Sequence, residues 1–167
     1  MRIVVCVKQV PNPEIAASQY RMDEKARTVA PVAGVQWVMS PFDEQAVEAA
    51  LRIRDAQPGT TITVMSLGPE LARTVLKHGL AMGADEGVLL ADTAFAGSDG
   101  YTTALTLAAA IRKIGNVDLV LAGRQAADWD GGVVGAGIGE LLGVPVIAFA
   151  KEVHIEGDVA RVERVLD

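Results

Sequence analysis

An α/β sandwich built on a mostly parallel sheet is the fold class that the sequence predicts, on three observations. Short, largely apolar β-branched runs alternate with helical stretches of 10 to 15 residues, the pattern of right-handed βαβ crossovers. These runs show little polar alternation, as expected of strands buried on both faces. Half of the 167 residues are hydrophobic and the net charge is only −6, enough apolar material for one ordinary core and too little charge for a disordered chain.

Residues 1–7, with Ile3, Val4, Val5 and Val7, read as a buried strand closed by Val10-Pro11-Asn12-Pro13. Residues 14–39 read as irregular, with Asp23-Glu24-Lys25 turning between two short edge strands. Ser40-Pro41-Phe42-Asp43 starts a helix: Ser40 is the expected N-cap, Pro41 suits the first helical position and Asp43 completes a capping box. Ala46, Val47, Ala50 and Leu51 follow at helical spacing until Pro58-Gly59. The second strand is 61–66. Gly68-Pro69-Glu70 turns into a helix carrying Leu71, Val75, Leu76 and Leu80, and Gly83 stops it. A third strand at 87–91, a loop at 92–100, an alanine-rich helix at 101–114 and a fourth strand at 117–123 follow. A glycine-rich helix with Asp130 as its N-cap and a fifth strand at 144–153 complete the order.

Composition excludes several function classes. One Cys builds neither a disulfide framework nor a cysteine-rich metal site. The acidic balance opposes a nucleic-acid-wrapping surface. Residues 131–150 carry only Glu140 and are about as long as a membrane span, but Gly131, Gly132, Gly135, Gly137, Gly139, Gly143 and Pro145 make them a helix, a stop and a strand instead. No presequence pattern precedes the first strand, so a cytoplasmic protein is expected.

Folds of this class bind ligands beyond the carboxyl ends of their strands. That directs attention to Cys6-Val7-Lys8, Ser66-Leu67-Gly68 and the stretch from Gly123. Cys6 lies in an apolar strand, where a thiol is an inert small hydrophobe. His78 and His154 have no partner at catalytic spacing. No H-E-x-x-H, C-x-x-C, G-x-S-x-G or G-x-x-x-x-G-K-[ST] occurs. Gly135-Ala136-Gly137-Ile138-Gly139 falls short of a dinucleotide fingerprint, because Leu142 stands at the last glycine's place and the run lies inside a helix.

What remains is Gly123-Arg124-Gln125-Ala126-Ala127-Asp128-Trp129-Asp130-Gly131-Gly132-Val133-Val134, a loop leaving a strand and opening a helix. The free amides from Gly131 to Val134 would form an anion site reinforced by the helix dipole. Gly132, Gly135, Gly139 and Gly143 recur at spacings of three and four. Two readings stand for that face: close approach of a ligand, or tight packing on the protein itself. Asp128 and Asp130 read as loop caps or, more weakly, as metal ligands. Trp129 is expected to be exposed.

Taken together, several segments resemble the electron transfer flavoprotein beta subunit. They are Val5-Cys6-Val7-Lys8-Gln9-Val10-Pro11, Ser40-Pro41-Phe42-Asp43-Glu44-Gln45-Ala46-Val47-Glu48-Ala49-Ala50, Gly79-Leu80-Ala81-Met82-Gly83-Ala84-Asp85, Leu121-Ala122-Gly123-Arg124-Gln125-Ala126-Ala127-Asp128 and Val162-Glu163-Arg164. The resemblance implies a three-layer, Rossmann-like adenine-nucleotide-binding fold, with residues 1–167 as one domain. It implies a heterodimer with an alpha subunit that carries electrons from dehydrogenases such as acyl-CoA dehydrogenases to a membrane quinone oxidoreductase, or to two acceptors in bifurcating members. It implies AMP in this subunit, or a second FAD in bifurcating members. The loop Asp92-Thr93-Ala94-Phe95-Ala96-Gly97-Ser98-Asp99 resembles the bifurcating and nitrogen-fixation-linked members, which favours FAD. The implied nucleotide site is Cys6, Ser40, Pro41, Phe42, Asp43, Leu67, Gly123, Arg124, Gln125, Ala126, Ala127, Asp128, Gly131, Gly132, Val133 and Val134, without a catalytic residue or a metal. Backbone groups at Cys6, Leu67 and Gly123 would hold adenine and ribose. Two departures from the family pattern stand out: Gly132-Val133-Val134 replaces polar side chains before Gly135, and the sequence stops at Asp167, short of the expected partner-binding segment. A stand-alone ATP-binding or adenylyl-transfer protein of the same fold is the alternative.

Overall fold

The computed structural model describes residues 1–25 and 28–165; Leu166 and Asp167, where the sequence stops, lie outside the described residues. Four parallel strands form the central sheet: β1 (Arg2–Cys6), β6 (Thr61–Leu67), β7 (Glu86–Leu90) and β8 (Leu119–Ala122), in the order β7-β6-β1-β8. The register pairs Ile3 with Ile62 on one side and with Leu119 on the other. Alternate residues of β1 therefore feed two cores. Ile3 and Val5 pack with Ile62, Val64, Val47 and Ile53 beneath α1 (Pro41–Ala56) and α2 (Arg73–Met82). Val4 and Cys6 pack with Met65, Leu107, Ile111 and Ile138 beneath α3 (Gly100–Ile114) and α4 (Val134–Leu142). Helices cover both faces, so the predicted α/β sandwich is the observed fold.

The polypeptide leaves β1 for the next two sheet strands on one side and for β8 on the other, which makes the carboxyl end of β1 the switch point of the sheet. Every helix start that follows a strand lies at that end.

Several local expectations are corrected. Residues 9–11 do not merely close the first strand: β2 (Gln9–Pro11) pairs antiparallel with β5 (Trp37–Met39). The predicted pair flanking Asp23-Glu24-Lys25 exists as β3 (Tyr20–Asp23) and β4 (Thr28–Pro31), but as a separate hairpin rather than at the sheet edge. Ser40 stands at the N-cap of α1, yet its side chain makes no cap hydrogen bond; the buried hydroxyl accepts instead from the Ala127 N–H at 3.4 Å. Asp43 does not close a capping box either, because the ends of two strands claim its carboxylate (below). Asp130 does not cap the glycine-rich helix, which starts at Val134 with Val133 at the N-cap and no capping side chain.

The expected fifth sheet strand is absent among the described residues. Residues 144–148 form no strand, and β9 (Ala150–Glu156) pairs only with β10 (Val159–Arg164) in an antiparallel hairpin. The alternation Glu152-Val153-His154-Ile155-Glu156 explains this: it suits a strand with one dry and one wet face, and Val153 and Ile155 pack on the α1 side of the core while the polar residues face out.

The glycine stripe divides as well. Gly132 precedes α4 and Gly143, at φ +71°, ends it in the left-handed conformation, so neither belongs to a helical face. Gly137 faces α3, where an added Cβ would stand 2.9 Å from the Cβ of Ala104. Gly139 faces Val146, whose methyl a Cβ would overlap, and Gly135 faces Ala122. The glycines let α4 lie against protein, which decides between the two readings in favour of packing.

A candidate nucleotide cleft at the strand ends

Beyond the carboxyl ends of the four strands lies a cleft of about 1060 Å³. Its floor is Cys6-Val7-Lys8 from β1 and Leu67-Gly68 from β6. One wall is the β7–α3 loop through Asp92, Phe95 and Ser98; the other is the loop leaving β8. The volume lies just above the ~300–1,000 Å³ typical of small-molecule sites.

Of the residues that the sequence points to, Cys6, Asp43, Leu67, 123–126 and 131–134 line the cleft. Ser40, Pro41, Phe42, Ala127 and Asp128 do not. Ser40 and Phe42 nonetheless act on it by holding the 123–128 loop from behind, and Ala127 and Asp128 are loop residues through which it is held. Asp43 accepts the N–H of Lys8 at 2.8 Å and the N–H of Gly123 at 3.1 Å, so one carboxyl group clamps the ends of β1 and β8 to the start of α1. Ser40 accepts from Ala127, as above. The ammonium of Lys8 donates to both oxygens of Asp128, at 2.9 and 2.7 Å. The Arg124 guanidinium lies 5.4 Å from the centre of the Phe42 ring and 5.8 Å from that of Phe149, within cation–π range of both.

Gly123 must be glycine for this arrangement. A Cβ there would overlap the Asp43 Oδ1 and stand 2.8 and 2.9 Å from backbone atoms of Phe42 and Asp43. Further along, Gln125 Nε2 donates to Asp130 Oδ1 at 2.7 Å, and the Asp130 N–H closes a turn on the Ala126 carbonyl at 2.9 Å. That turn requires positive φ at Asp130 (+50°) and Gly132 (+64°), conformations that Asp and Gly tolerate best. With Asp128 on Lys8 and Asp130 on Gln125, neither carboxylate is aimed at a metal. Among the described residues no group of three His, Cys, Asp or Glu is placed to hold one.

The start of α4 offers unpaired donors. Its first internal hydrogen bond runs from Gly137 N–H to Val133 O, so the N–H groups of residues 134–136 have no partner among the described residues. Val133, Val134 and Gly135 line the cleft, and a Cβ on Gly131 would meet nothing within 4 Å. Open space thus faces unpaired donors at the positive end of a helix dipole, the donor set a phosphate needs.

The electrostatics leave the thiol of the cleft floor unreactive. Burial pushes the Cys6 thiol up to about 12, with the Asp43 charge adding to the rise, so it carries no thiolate at neutral pH. Burial also pushes Asp43 up to about 7; the Lys8 and Gly123 amides and the Lys8 charge pull it down, and Asp128 adds to the rise.

The β7–α3 wall is not among the site residues expected from the sequence, which singles out its loop Asp92–Asp99 only for a resemblance to the bifurcating members. Its signal was present: Asp99 opens α3 as a true N-cap, accepting from the N–H and hydroxyl of Thr102 at 2.8 Å each, and these bonds hold its carboxyl below the usual range. The following Gly100 lets two helix starts meet, since a Cβ there would lie 2.6 Å from the Val133 side chain. Trp129 is 73% exposed and stands at the rim of the cleft.

The family model "Electron transfer flavoprotein domain" matches residues 29–167. The caffeyl-CoA reductase-Etf complex subunit CarD of Acetobacterium woodii is 46% identical over 167 residues, covering all of this chain and 62% of its own. The electron transfer flavoprotein subunit beta of Thermoanaerobacterium thermosaccharolyticum is 44% identical over the same length and share. Protein FixA of Azorhizobium caulinodans is 40% identical over 171 residues, covering 98% of this chain and 59% of its own. The chain thus spans about three fifths of the length of the curated relatives it matches. It belongs to the electron transfer flavoprotein family, and its relatives are the beta-type subunits.

Proposed function

We propose that this chain is the nucleotide-binding part of a beta-type electron-transfer subunit, an electron carrier rather than a self-contained enzyme. Residues 1–167 act as one unit that binds an adenine nucleotide in the cleft, pairs with an alpha subunit, and passes electrons from a dehydrogenase of the acyl-CoA type to a quinone oxidoreductase or, in a bifurcating complex, to two acceptors. A cytoplasmic location fits this reading, and none of the helices described is long and apolar enough to cross a membrane.

The observation that carries the proposal is the pairing of a roomy cleft at the sheet's switch point with the uncapped start of α4. Backbone groups at Cys6, Leu67 and Gly123 take the adenosine half, and the N–H groups of residues 134–136 take phosphate. Amides suffice there, so the loss of polar side chains at Gly132-Val133-Val134 leaves the anion site in place. FAD is favoured over AMP because the cleft extends from this site along the whole Asp92–Gly100 wall. When bound, FAD would supply one- and two-electron redox chemistry. The residues here bind and orient; none is placed to move a proton or attack a substrate.

Denaturing the purified protein and identifying the released nucleotide by mass spectrometry tests the reading. FAD is the expected product, and AMP would keep the site but reverse the choice of cofactor. Release of neither, together with failure to bind either on addition, would overturn the proposal, as would steady ATP hydrolysis by the chain alone.

A further inference from the structure

Two aromatic residues of the cleft take no part in the contacts that hold its walls. Trp129 stands at the rim on the loop leaving β8, and Phe95 lies on the facing wall, the β7–α3 loop. Among the described residues these are the aromatic side chains that line the cleft, and neither ring meets a cation or another ring. Phe42 and Phe149, by contrast, both face Arg124. Neither Trp129 nor Phe95 belongs to the two cores that flank the sheet.

Each residue is fixed through its neighbours while its ring stays free. On one side of Trp129, Asp128 accepts from the Lys8 ammonium at 2.9 and 2.7 Å; on the other, Asp130 accepts from Gln125 at 2.7 Å. The indole between them is exposed, and its N–H has no partner among the described residues. Phe95 ends a single helical turn, Thr93–Phe95, and its carbonyl accepts from both the N–H and the hydroxyl of Ser98, at 3.2 and 2.7 Å. Its ring is half-buried. A side chain on backbone that is already pinned has little freedom left to lose when a ligand arrives. Tryptophan and phenylalanine also offer large flat apolar faces, which stack on other rings with their centres offset. The floor of the cleft and the α4 amides are the places given above to adenosine and phosphate, groups that AMP and FAD share. The aromatic pair lies outside both places, so a ligand that reaches it carries a second planar ring beyond its phosphates. Indole is electron-rich and isoalloxazine electron-poor, a favourable match of ring faces.

We propose that Trp129 and Phe95 hold the second ring of a dinucleotide, the isoalloxazine of FAD, and are therefore the side chains by which this cleft selects a flavin dinucleotide over a mononucleotide. The inference rests on the reading that the cleft binds an adenine nucleotide, and it adds which residues choose between nucleotides. Trp129 supplies the main stacking face from the rim, and Phe95 supplies an apolar contact from the opposite wall.

Fluorescence titration of the nucleotide-free protein with FAD and with AMP tests it. The chain has two tryptophans, and Trp37 on β5 does not line the cleft, so a Trp37→Phe background leaves Trp129 as the only indole. FAD should quench that indole, and AMP should not. Trp129→Ala should weaken FAD binding about 10-fold, the effect of removing one stacked ring, and leave AMP binding unchanged. FAD bound to this variant should also be brighter than FAD bound to the parent, because the stacked indole that quenches the flavin is gone. Trp129→Phe keeps a ring and should retain most of the affinity. Phe95→Leu keeps the bulk without the ring and should weaken FAD by about 3-fold, again sparing AMP. AMP binding serves in each variant as the check that the cleft has kept its shape. Equal loss of FAD and AMP in Trp129→Ala would mark a loop that has lost its form, and unchanged FAD affinity would mark an indole that faces something other than the ligand. Either result, or a wild-type protein that binds AMP but not FAD, overturns this inference and leaves the nucleotide cleft standing. A wild-type protein that binds neither overturns both.

Discussion

At the scale of single residues, Asp43 joins the fold to the cleft. It is buried, it accepts N–H groups from the ends of β1 and β8, and burial raises its pKa from 3.8 to about 7. The folded protein therefore keeps a proton on Asp43 that the unfolded chain gives up near pH 4. Between about pH 4 and 7 the folded state binds more protons, so this group's contribution to stability falls as pH rises through that window. Asp43→Asn removes the titration and one acceptor together. At pH 5 the variant should be less stable than wild type by about 1–3 kcal/mol, the cost of a buried N–H left unsatisfied. Near pH 8 the gap should narrow, because only the wild type then carries a buried charge. Urea unfolding at a series of pH values measures both quantities, and a gap that stays constant with pH would contradict the assignment. Gly123→Ala tests the same junction by crowding it. Two of the atoms facing the new Cβ are backbone and cannot swing aside, so a loss of about 1–3 kcal/mol is expected, with weaker nucleotide binding because the loop must move.

At the scale of elements, α4 shows why part of the site was legible in the sequence and part was not. The strand–loop–helix order around Gly123 was readable because apolar runs and glycine stops are local signals. The end of α1 was readable from Pro58-Gly59 for the same reason. The roles of Ser40, Asp43 and Asp130 were not: each stands where a local capping rule applies, but Ser40 and Asp43 are claimed by partners distant in sequence, Ala127 and Lys8 with Gly123, and Asp130 by a turn inside its own loop. The fifth strand failed for a related reason. A run such as Val144-Pro145-Val146-Ile147 has strand composition, but only a hydrogen-bonding neighbour makes it a strand. The uncapped start of α4 yields a test of its own. Val133→Asp places a negative charge on the free amides, which should stabilise the nucleotide-free protein by about 0.3–1 kcal/mol through the helix dipole. The same charge occupies the phosphate position, so nucleotide affinity should drop at least ~10-fold, equivalent to about 1.4 kcal/mol. Calorimetry on both forms separates the two effects; a gain or a loss in both together would argue that phosphate sits elsewhere. Gly137→Ala probes the other side of the helix. Alanine favours a helix by up to about 1 kcal/mol over glycine, yet here it should destabilise, because its Cβ would press on Ala104 from 2.9 Å.

At the scale of the whole molecule, the cleft gathers groups from every strand of the sheet: the ends of β1, β6 and β8 and the loop after β7. Its walls are loops with little of their own to hold them. Residues 123–128 depend on five contacts, to the start of α1, the end of β1 and the segment before β9, and the Asp92–Gly100 wall is largely exposed. A nucleotide spanning the two walls joins parts of the chain that otherwise meet only through the core, so its binding and global stability must be coupled. At a ligand concentration 100 times Kd that coupling amounts to about 2.7 kcal/mol. For a chain of this size each kcal/mol moves Tm by about 2–4 °C, so stripping the nucleotide should lower Tm by about 5–10 °C. Adding nucleotides back one at a time then identifies the ligand by the shift it restores. FAD restoring the full shift, AMP only part of it and riboflavin none would mean that the α4 amides hold phosphate while the Asp92–Gly100 wall holds the rest of the molecule. Equal restoration by AMP and FAD would confine binding to the adenosine half and leave that wall without a part in it.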